Sequence, residues 1–188
     1  MNTEILFVVD RSGSMASLNA AACAGFNSFL DEQRTVGGNA RVSLTYFNQA
    51  VAHAYTAIPI NSVGALYSIE PSGMTAMYDG IGEAINLHSS RIEREKWADS
   101  TIMVIITDGA ENSSRRFTQS ATAQMISMAK SIGWQFIFMG ANIDVGQVAS
   151  KLNIDRELAY EFNATAEGVR SVYAQASATT KAMRSWGL

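Results

Sequence analysis

The chain has 188 residues, 47% of them hydrophobic, which supports one sizeable core and is too apolar for a disordered chain. Its net charge is -3 and its Lys and Arg residues are scattered, so it lacks the basic stripe that a nucleic-acid partner would need. The single cysteine, Cys23, excludes an intrachain disulfide, and its small apolar neighbours mark it as a packing residue rather than a nucleophile.

The N-terminus, Met1-Asn2-Thr3-Glu4, lacks the basic stretch of a secretory signal. No apolar run approaches the ~20 residues needed to span a bilayer, so the expectation is a soluble, cytoplasmic chain with no membrane partner. Residues 5–9, Ile-Leu-Phe-Val-Val, form an unbroken β-branched and aromatic run that predicts a strand buried on both faces. The period then changes. Leu18, Ala22, Phe26, Phe29 and Leu30 fall three or four apart, as on one face of a helix, and Gly37-Gly38-Asn39 ends that element.

Residues 41–47 alternate Val42, Leu44 and Tyr46 against Arg41, Ser43 and Thr45, which predicts a strand with one wetter face. Asn48-Gln49 is a hairpin turn into a second, antiparallel edge strand that Pro59 closes. A second helix follows Pro71-Ser72-Gly73, with Met77, Ile81, Ala84, Ile85 and His88 on its apolar side. Residues 101–106, Thr-Ile-Met-Val-Ile-Ile, mirror the first strand. A third helix presents Ala121, Met125, Met128 and Ile132, and residues 134–139 form a further buried strand. A weaker helix begins near Val145, and a last strand is expected within 158–162. Thr165 caps a final helix whose inner face is Val169, Val172, Tyr173, Ala176, Thr180 and Met183. Strands and helices alternate throughout, with no linker or repeat. The expectation is one α/β domain over 1–188, Rossmann-like and doubly wound. Its mostly parallel sheet would carry one antiparallel edge strand and helices on both faces.

Such folds bind ligands beyond the carboxyl ends of their strands. There the first strand delivers Asp10, Ser12 and Ser14, the strand at 101–106 delivers Asp108, and a loop between them presents Thr75 before a helix. The set is oxygen-only, with no His or Cys to favour zinc, and hard oxygens suit Mg²⁺, Ca²⁺ or Mn²⁺. Gly13 frees the backbone to bend so that alternate hydroxyls face one point.

Asp10-Arg11-Ser12-Gly13-Ser14 resembles the Asp-x-Ser-x-Ser pattern of the von Willebrand factor A (VWA) domain. Thr75, in Ser72-Gly73-Met74-Thr75-Ala76-Met77-Tyr78-Asp79, looks like the second-loop threonine of that family's metal-ion-dependent adhesion site. Asp108, in Ile105-Ile106-Thr107-Asp108-Gly109, looks like its third-loop aspartate. The resemblance covers nearly the whole chain in the right order. It implies that Asp10, Ser12 and Ser14 hold a divalent ion, most simply Mg²⁺. Thr75 and Asp108 would coordinate directly or through water, and one position would stay open for an Asp or Glu of a protein partner. The stretch 133–144, Gly-Trp-Gln-Phe-Ile-Phe-Met-Gly-Ala-Asn-Ile-Asp, is similar to compact bacterial and phage-borne members, which implies a monomeric intracellular adaptor. A structural component of a phage or secretion-type complex is the alternative.

An enzyme is the weaker reading. Phosphotransferases that begin with a strand-ending aspartate need a second acid two residues on, where Ser12 stands. The chain also has no P-loop and no general base near the site, which leaves a Mg²⁺-dependent phosphohydrolase poorly supported. Several nearby residues keep two readings. Asp79 is a water acceptor behind the metal or a carboxylate at a helix N-terminus. Glu111 and Asn112 are a site rim or a solvated loop, and Arg115-Arg116, the one local basic cluster, is a solvated loop rather than a nucleic-acid contact. Met15 and Met74 are contact surface or core, Met77 is core, and Asp144 is a cap. His53 and His88 lie far apart in the sequence without metal-ligand spacing.

Overall fold

The computed structural model describes residues 1–186. Six strands, β1 (Asn2–Asp10), β2 (Asn39–Phe47), β3 (Val51–Pro59), β4 (Ser100–Thr107), β5 (Trp134–Gly140) and β6 (Ala159–Glu161), form one sheet. Their order is β3-β2-β1-β4-β5-β6. All neighbours pair in parallel except β2 and β3, which are antiparallel. The helices are α1 (Asn19–Arg34), α2 (Met77–Glu95), α3 (Gln119–Ser131), α4 (Val145–Lys151) and α5 (Ala166–Trp186). The architecture is the expected Rossmann-like α/β sheet with β3 as its antiparallel edge.

Strand alternation divides the core in two. Ile5, Phe7, Val9, Val42, Leu44, Ile102, Val104 and Ile106 point to one face, where α1 and α5 cover them with Phe26, Phe29, Leu30, Val172 and Tyr173. Leu6, Val8, Phe47, Met103, Ile105, Phe136 and Phe138 point to the other, under Met77, Ile81, Ala84 and Ile126 of α2 and α3. A strand covered on both faces has no solvent side, which is why β1 and β4 read as unbroken apolar runs.

Two packing expectations are corrected. The wetter face of β2 is not wet, because Ser43 and Thr45 are both buried beneath the α2 side of the sheet. Their hydroxyls stay satisfied: Ser43 Oγ accepts Ala57 N at 2.8 Å, and Thr45 Oγ1 lies 2.9 Å from His53 Nδ1. The inner face of α3 is Thr122, Ile126 and Ala129, while Met128 and Ile132 are 71% and 70% exposed. A short helix with apolar residues on two adjoining stripes fits the 3.6-residue period in either phase, and tertiary packing chose the smaller residues. The other predicted faces hold, including all six residues of α5, and Thr165 Oγ1 accepts Gly168 N at 3.0 Å at its start.

From β1 the chain winds outward through β2 and β3, then returns to the far side of β1 as β4. The winding direction therefore reverses between β1 and β4, and a crevice opens beyond their carboxyl ends.

Candidate metal centre

Asp10 ends β1, and Asp108 follows the last residue of β4. Val9 pairs with Ile106 in register, so both carboxylates leave neighbouring strands at the same level. Asp10 is fully buried, and two bonds fix its rotamer: Oδ1 accepts Ser12 N at 2.7 Å, and Oδ2 accepts Thr107 Oγ1 at 2.6 Å. Ser14 Oγ donates to Asp108 Oδ1 at 2.6 Å and lies 3.1 Å from Ser12 Oγ. The structure thus brings Asp10, Ser12, Ser14 and Asp108 into one connected set of oxygens.

Thr75 joins that set through backbone rather than side chain. Gly13 N donates to Gly73 O at 3.0 Å, and a Cβ on Gly13 would stand only 3.4 Å from the same oxygen. Ser72 N donates to Arg11 O at 2.8 Å. The rest of the Thr75 loop is wired on both sides. Asn48 Nδ2 donates to Ser72 O at 3.0 Å, Asn48 O accepts Ala76 N at 2.7 Å, and Gln49 Oε1 accepts Met74 N at 3.2 Å. Asn112 Oδ1 accepts Thr75 N at 2.9 Å, and Asn112 N returns a 3.0 Å bond to Thr75 O. The Thr75 hydroxyl has no hydrogen-bond partner among the described residues and is free to face a ligand.

The neighbouring acids have structural jobs. Asp79 accepts the backbone N–H groups of Arg115, Arg116 and Phe117, each at 2.9 Å, so it clamps the loop after β4 onto α2. Glu111 accepts Tyr78 N at 3.1 Å, at the N-terminus of α2, together with Ser113 N, Ser114 N and Ser114 Oγ. The free-loop reading of Glu111 and Asn112 is therefore replaced by a welded one. Arg115 and Arg116 are exposed, as a solvated loop requires, and Arg116 pairs with Glu83. Asp144 caps α4 by accepting Gln147 N at 2.8 Å. Met15 and Met77 are core, whereas Met74 is 51% exposed. Two supports were not anticipated. The Thr107 hydroxyl holds Asp10, and Asn142, at φ +56°, donates through Nδ2 to Asp108 O at 3.0 Å. Their signal is positional: a threonine beside the strand-end aspartate, and an asparagine, which tolerates the left-handed conformation, just after the neighbouring strand. His53 and His88 lie outside the cluster, though close enough to each other to interact electrostatically.

Neither Asp10 nor Asp108 has an ion-pair partner among the described residues. Burial pushes both carboxyls above the usual carboxylate range. Hydrogen bonds from Thr107 and Ser12 oppose the rise at Asp10, the Asp108 charge adds to it, and the Ser14 hydrogen bond opposes it at Asp108. Two buried, mutually repelling carboxylates without a basic side chain lack one thing, a nearby positive charge. No cluster of three or more His, Cys, Asp or Glu residues forms a metal site among the described residues. The available donors are two carboxylates and three hydroxyls, which suit a hard divalent cation.

No family model matches the sequence, and no curated protein does either. Solved structures do match its fold. One is proximal thread matrix protein 1 of the mussel byssus with a zinc-occupied MIDAS motif: identity 14%, TM-score 0.69, covering 96% of this chain and 46% of that one. Another is the vWF domain of the type V pili tip protein Mfa5 from Porphyromonas gingivalis: 13%, TM-score 0.68, covering 96% and 95%. A third is manganese-loaded TRAP protein of Plasmodium vivax: 14%, TM-score 0.58, covering 91% and 71%. This chain spans under half the length of the mussel protein and nearly all of the pilus-tip domain. It has the von Willebrand factor A fold. Among the described residues no helix is long and apolar enough to cross a membrane.

Proposed function

We propose that the chain is a metal-dependent protein-binding module, an adaptor that captures a carboxylate of a partner protein at the β1–β4 crevice. The observation that carries this reading is the Asp10–Ser12–Ser14–Asp108 oxygen set, two buried carboxylates bridged by hydroxyls and left without a cationic side chain. Asp10, Ser12 and Ser14 would hold the ion, with Thr75 and Asp108 completing the set directly or through water. A divalent cation bound there supplies an electrophilic position for an incoming carboxylate oxygen. The mostly neutral donors leave that electrophilicity largely intact. Two solved proteins of the same fold are described with zinc and manganese, and Mg²⁺ is the expected ion inside a cell.

Around this point the chain supplies rigidity and surface. Asn48, Gln49 and Asn112 hold the Thr75 loop still, so metal binding meets a site already formed. Exposed Met74 lies beside it and offers an adaptable apolar contact to whatever carries the acid. The partner is thus a protein presenting Asp or Glu, the adaptor acts as a monomer in the cytoplasm, and no catalysis is involved. The test is a pull-down in Mg²⁺, repeated in EDTA and with Asp10→Ala. Capture should need both the ion and Asp10, while the variant keeps its fold by circular dichroism. Undiminished capture by Asp10→Ala in EDTA would sink the proposal.

A further inference from the structure

Among the described residues two arginines are buried, and they are treated differently. Arg91 is 7% exposed and matched by carboxylates, with Nη2 2.7 Å from Glu4 Oε2 and Nη1 3.1 Å from Glu95 Oε2. Arg184, on α5, is 4% exposed and has no ion-pair partner among the described residues. Its Nη1 donates to Gln33 O at 2.7 Å and Gln33 Oε1 at 3.2 Å, and its buried Nε has no partner. Gln33 is itself locked, because its Nε2 donates to Ser177 O and Ser177 Oγ at 2.9 and 3.0 Å, which turns Oε1 toward the guanidinium. Both acceptors of Arg184 are therefore neutral. Gln33 O lies in the last turn of α1, whose end carries roughly half a negative charge at most, so the guanidinium is under-compensated.

Burying an uncompensated charge is costly, and proteins normally pair it. Here a cavity of about 290 Å³ opens beside it, at the end of the sheet opposite the candidate metal centre. Its wall includes Arg34, Arg41 and Trp97 as well as Arg184. Arg34 pairs with exposed Asp31, and Arg41 stacks 4.1 Å from the Trp97 ring and bonds Glu95 at 2.9 Å. Those two charges are balanced, and the Arg184 charge is the one left over. Burial also pulls the Arg184 guanidinium down from its ordinary range, as it would for a cation short of an anion.

We infer that this pocket binds a small oxyanion, a carboxylate or a phosphate, with Arg184 as its charge partner. With Nη1 taken by Gln33 and Nε buried, Nη2 is the donor left to face the anion, through a charge-assisted hydrogen bond to one of its oxygens. Arg34 and Arg41, each already paired with a carboxylate, complete the wall, and the Trp97 face closes one side. This site is independent of the metal centre and does not rest on the function proposed for it.

The full chain, ¹⁵N-labelled, is titrated with sodium acetate, sodium phosphate and sodium chloride at matched ionic strength and followed by NMR. Acetate or phosphate should produce saturable shifts at the Trp97 indole and the Gly38 amide, with chloride inert. Which anion saturates at lower concentration assigns the ligand class. Arg184→Gln should weaken that binding at least tenfold. Arg184 also ties down the end of α1, so a second variant keeps it: Asn61→Trp, at an exposed position on the rim, fills the pocket and should abolish the response with Arg184 intact. Asp10→Ala should bind the anion like the wild type. Linear shifts shared by all three salts, or saturation unchanged in Arg184→Gln and Asn61→Trp, would overturn the assignment.

Discussion

Thr75 and Asn112 bond each other twice: Asn112 Oδ1 accepts Thr75 N at 2.9 Å, and Asn112 N donates to Thr75 O at 3.0 Å. The pair ties the second loop of the candidate site to the third and leaves the Thr75 hydroxyl unbonded. Groups that orient metal ligands from behind typically change affinity 10–100-fold when removed. Asn112→Ala should weaken Mn²⁺ or Mg²⁺ binding about tenfold by calorimetry, and it should speed hydrogen exchange at the Thr75 amide. Unchanged exchange with unchanged affinity would mean that the loop is held by Asn48 and Gln49 alone.

Asp108 offers a sign test of the charge argument. Burial raises its folded pKa above the unfolded value near 3.8, with Ser14 opposing. A carboxyl with a raised folded pKa contributes stability that is complete below the unfolded pKa and is lost as pH rises through the folded one. At pH 7 without metal, Asp108 is therefore a net cost. Asp108→Asn keeps the acceptor for Ser14 Oγ and should raise the melting temperature in EDTA. In excess Mg²⁺ the order should reverse, because only the wild type gains RT ln(1 + [L]/Kd) from the ion. A melting temperature that falls in EDTA as well would refute the argument that burial makes the Asp108 charge a net cost.

The sheet and the main donors were legible because each left a local mark. Residues 5–9 and 101–106 are apolar without alternation, which only a doubly covered strand explains. Each is followed within two residues by an aspartate and a Gly-containing turn, so Asp10 and Asp108 announced themselves. What stayed hidden depends on partners distant in sequence. Asp79 serves backbone N–H groups at 115–117, and Asn112 serves Thr75, 37 residues away. No spacing rule marks such pairs. The inner face of α3 was misread in part for a different reason: Met128 and Ile132 continue the helical period of Met125, which does pack against the core, as well as Thr122, Ile126 and Ala129 do. Only the sheet beneath decides between them.

Gly25 sets the approach of α1 to α5. A Cβ there would stand 2.4 Å from Cδ2 of Tyr173, a side chain that is itself 2% exposed and has nowhere to move. Alanine in mid-helix gains about 1 kcal/mol of helix propensity over glycine. Overpacking a tight core costs about 1–3 kcal/mol, so the loss should prevail. Gly25→Ala is expected to lower the melting temperature by about 4 °C in calorimetry. Metal affinity should not change, because the contact lies on the α1–α5 side of the sheet rather than at the crevice.

His88 supplies the last expectation, a pH dependence unrelated to the metal centre. The ring is 1% exposed, and neither nitrogen has a hydrogen-bond partner among the described residues. Burial, with smaller contributions from Arg91 and His53, lowers its pKa to about 3. The unfolded chain takes up the proton near pH 6.5 while the folded protein does not. The stability associated with neutral His88 is therefore fully present above about pH 6.5 and is lost progressively down to about pH 3. The slope is about 1.4 kcal/mol per pH unit, so moving from pH 7.5 to pH 5.0 should cost the wild type about 2 kcal/mol from this residue. His88→Leu keeps an apolar side chain of similar reach on the inner face of α2 and removes the titration. Urea unfolding at the two pH values should give the wild type a loss about 2 kcal/mol larger than that of His88→Leu. Equal losses in the two proteins would show that His88 is protonated in the folded state or solvated in a way its burial does not suggest.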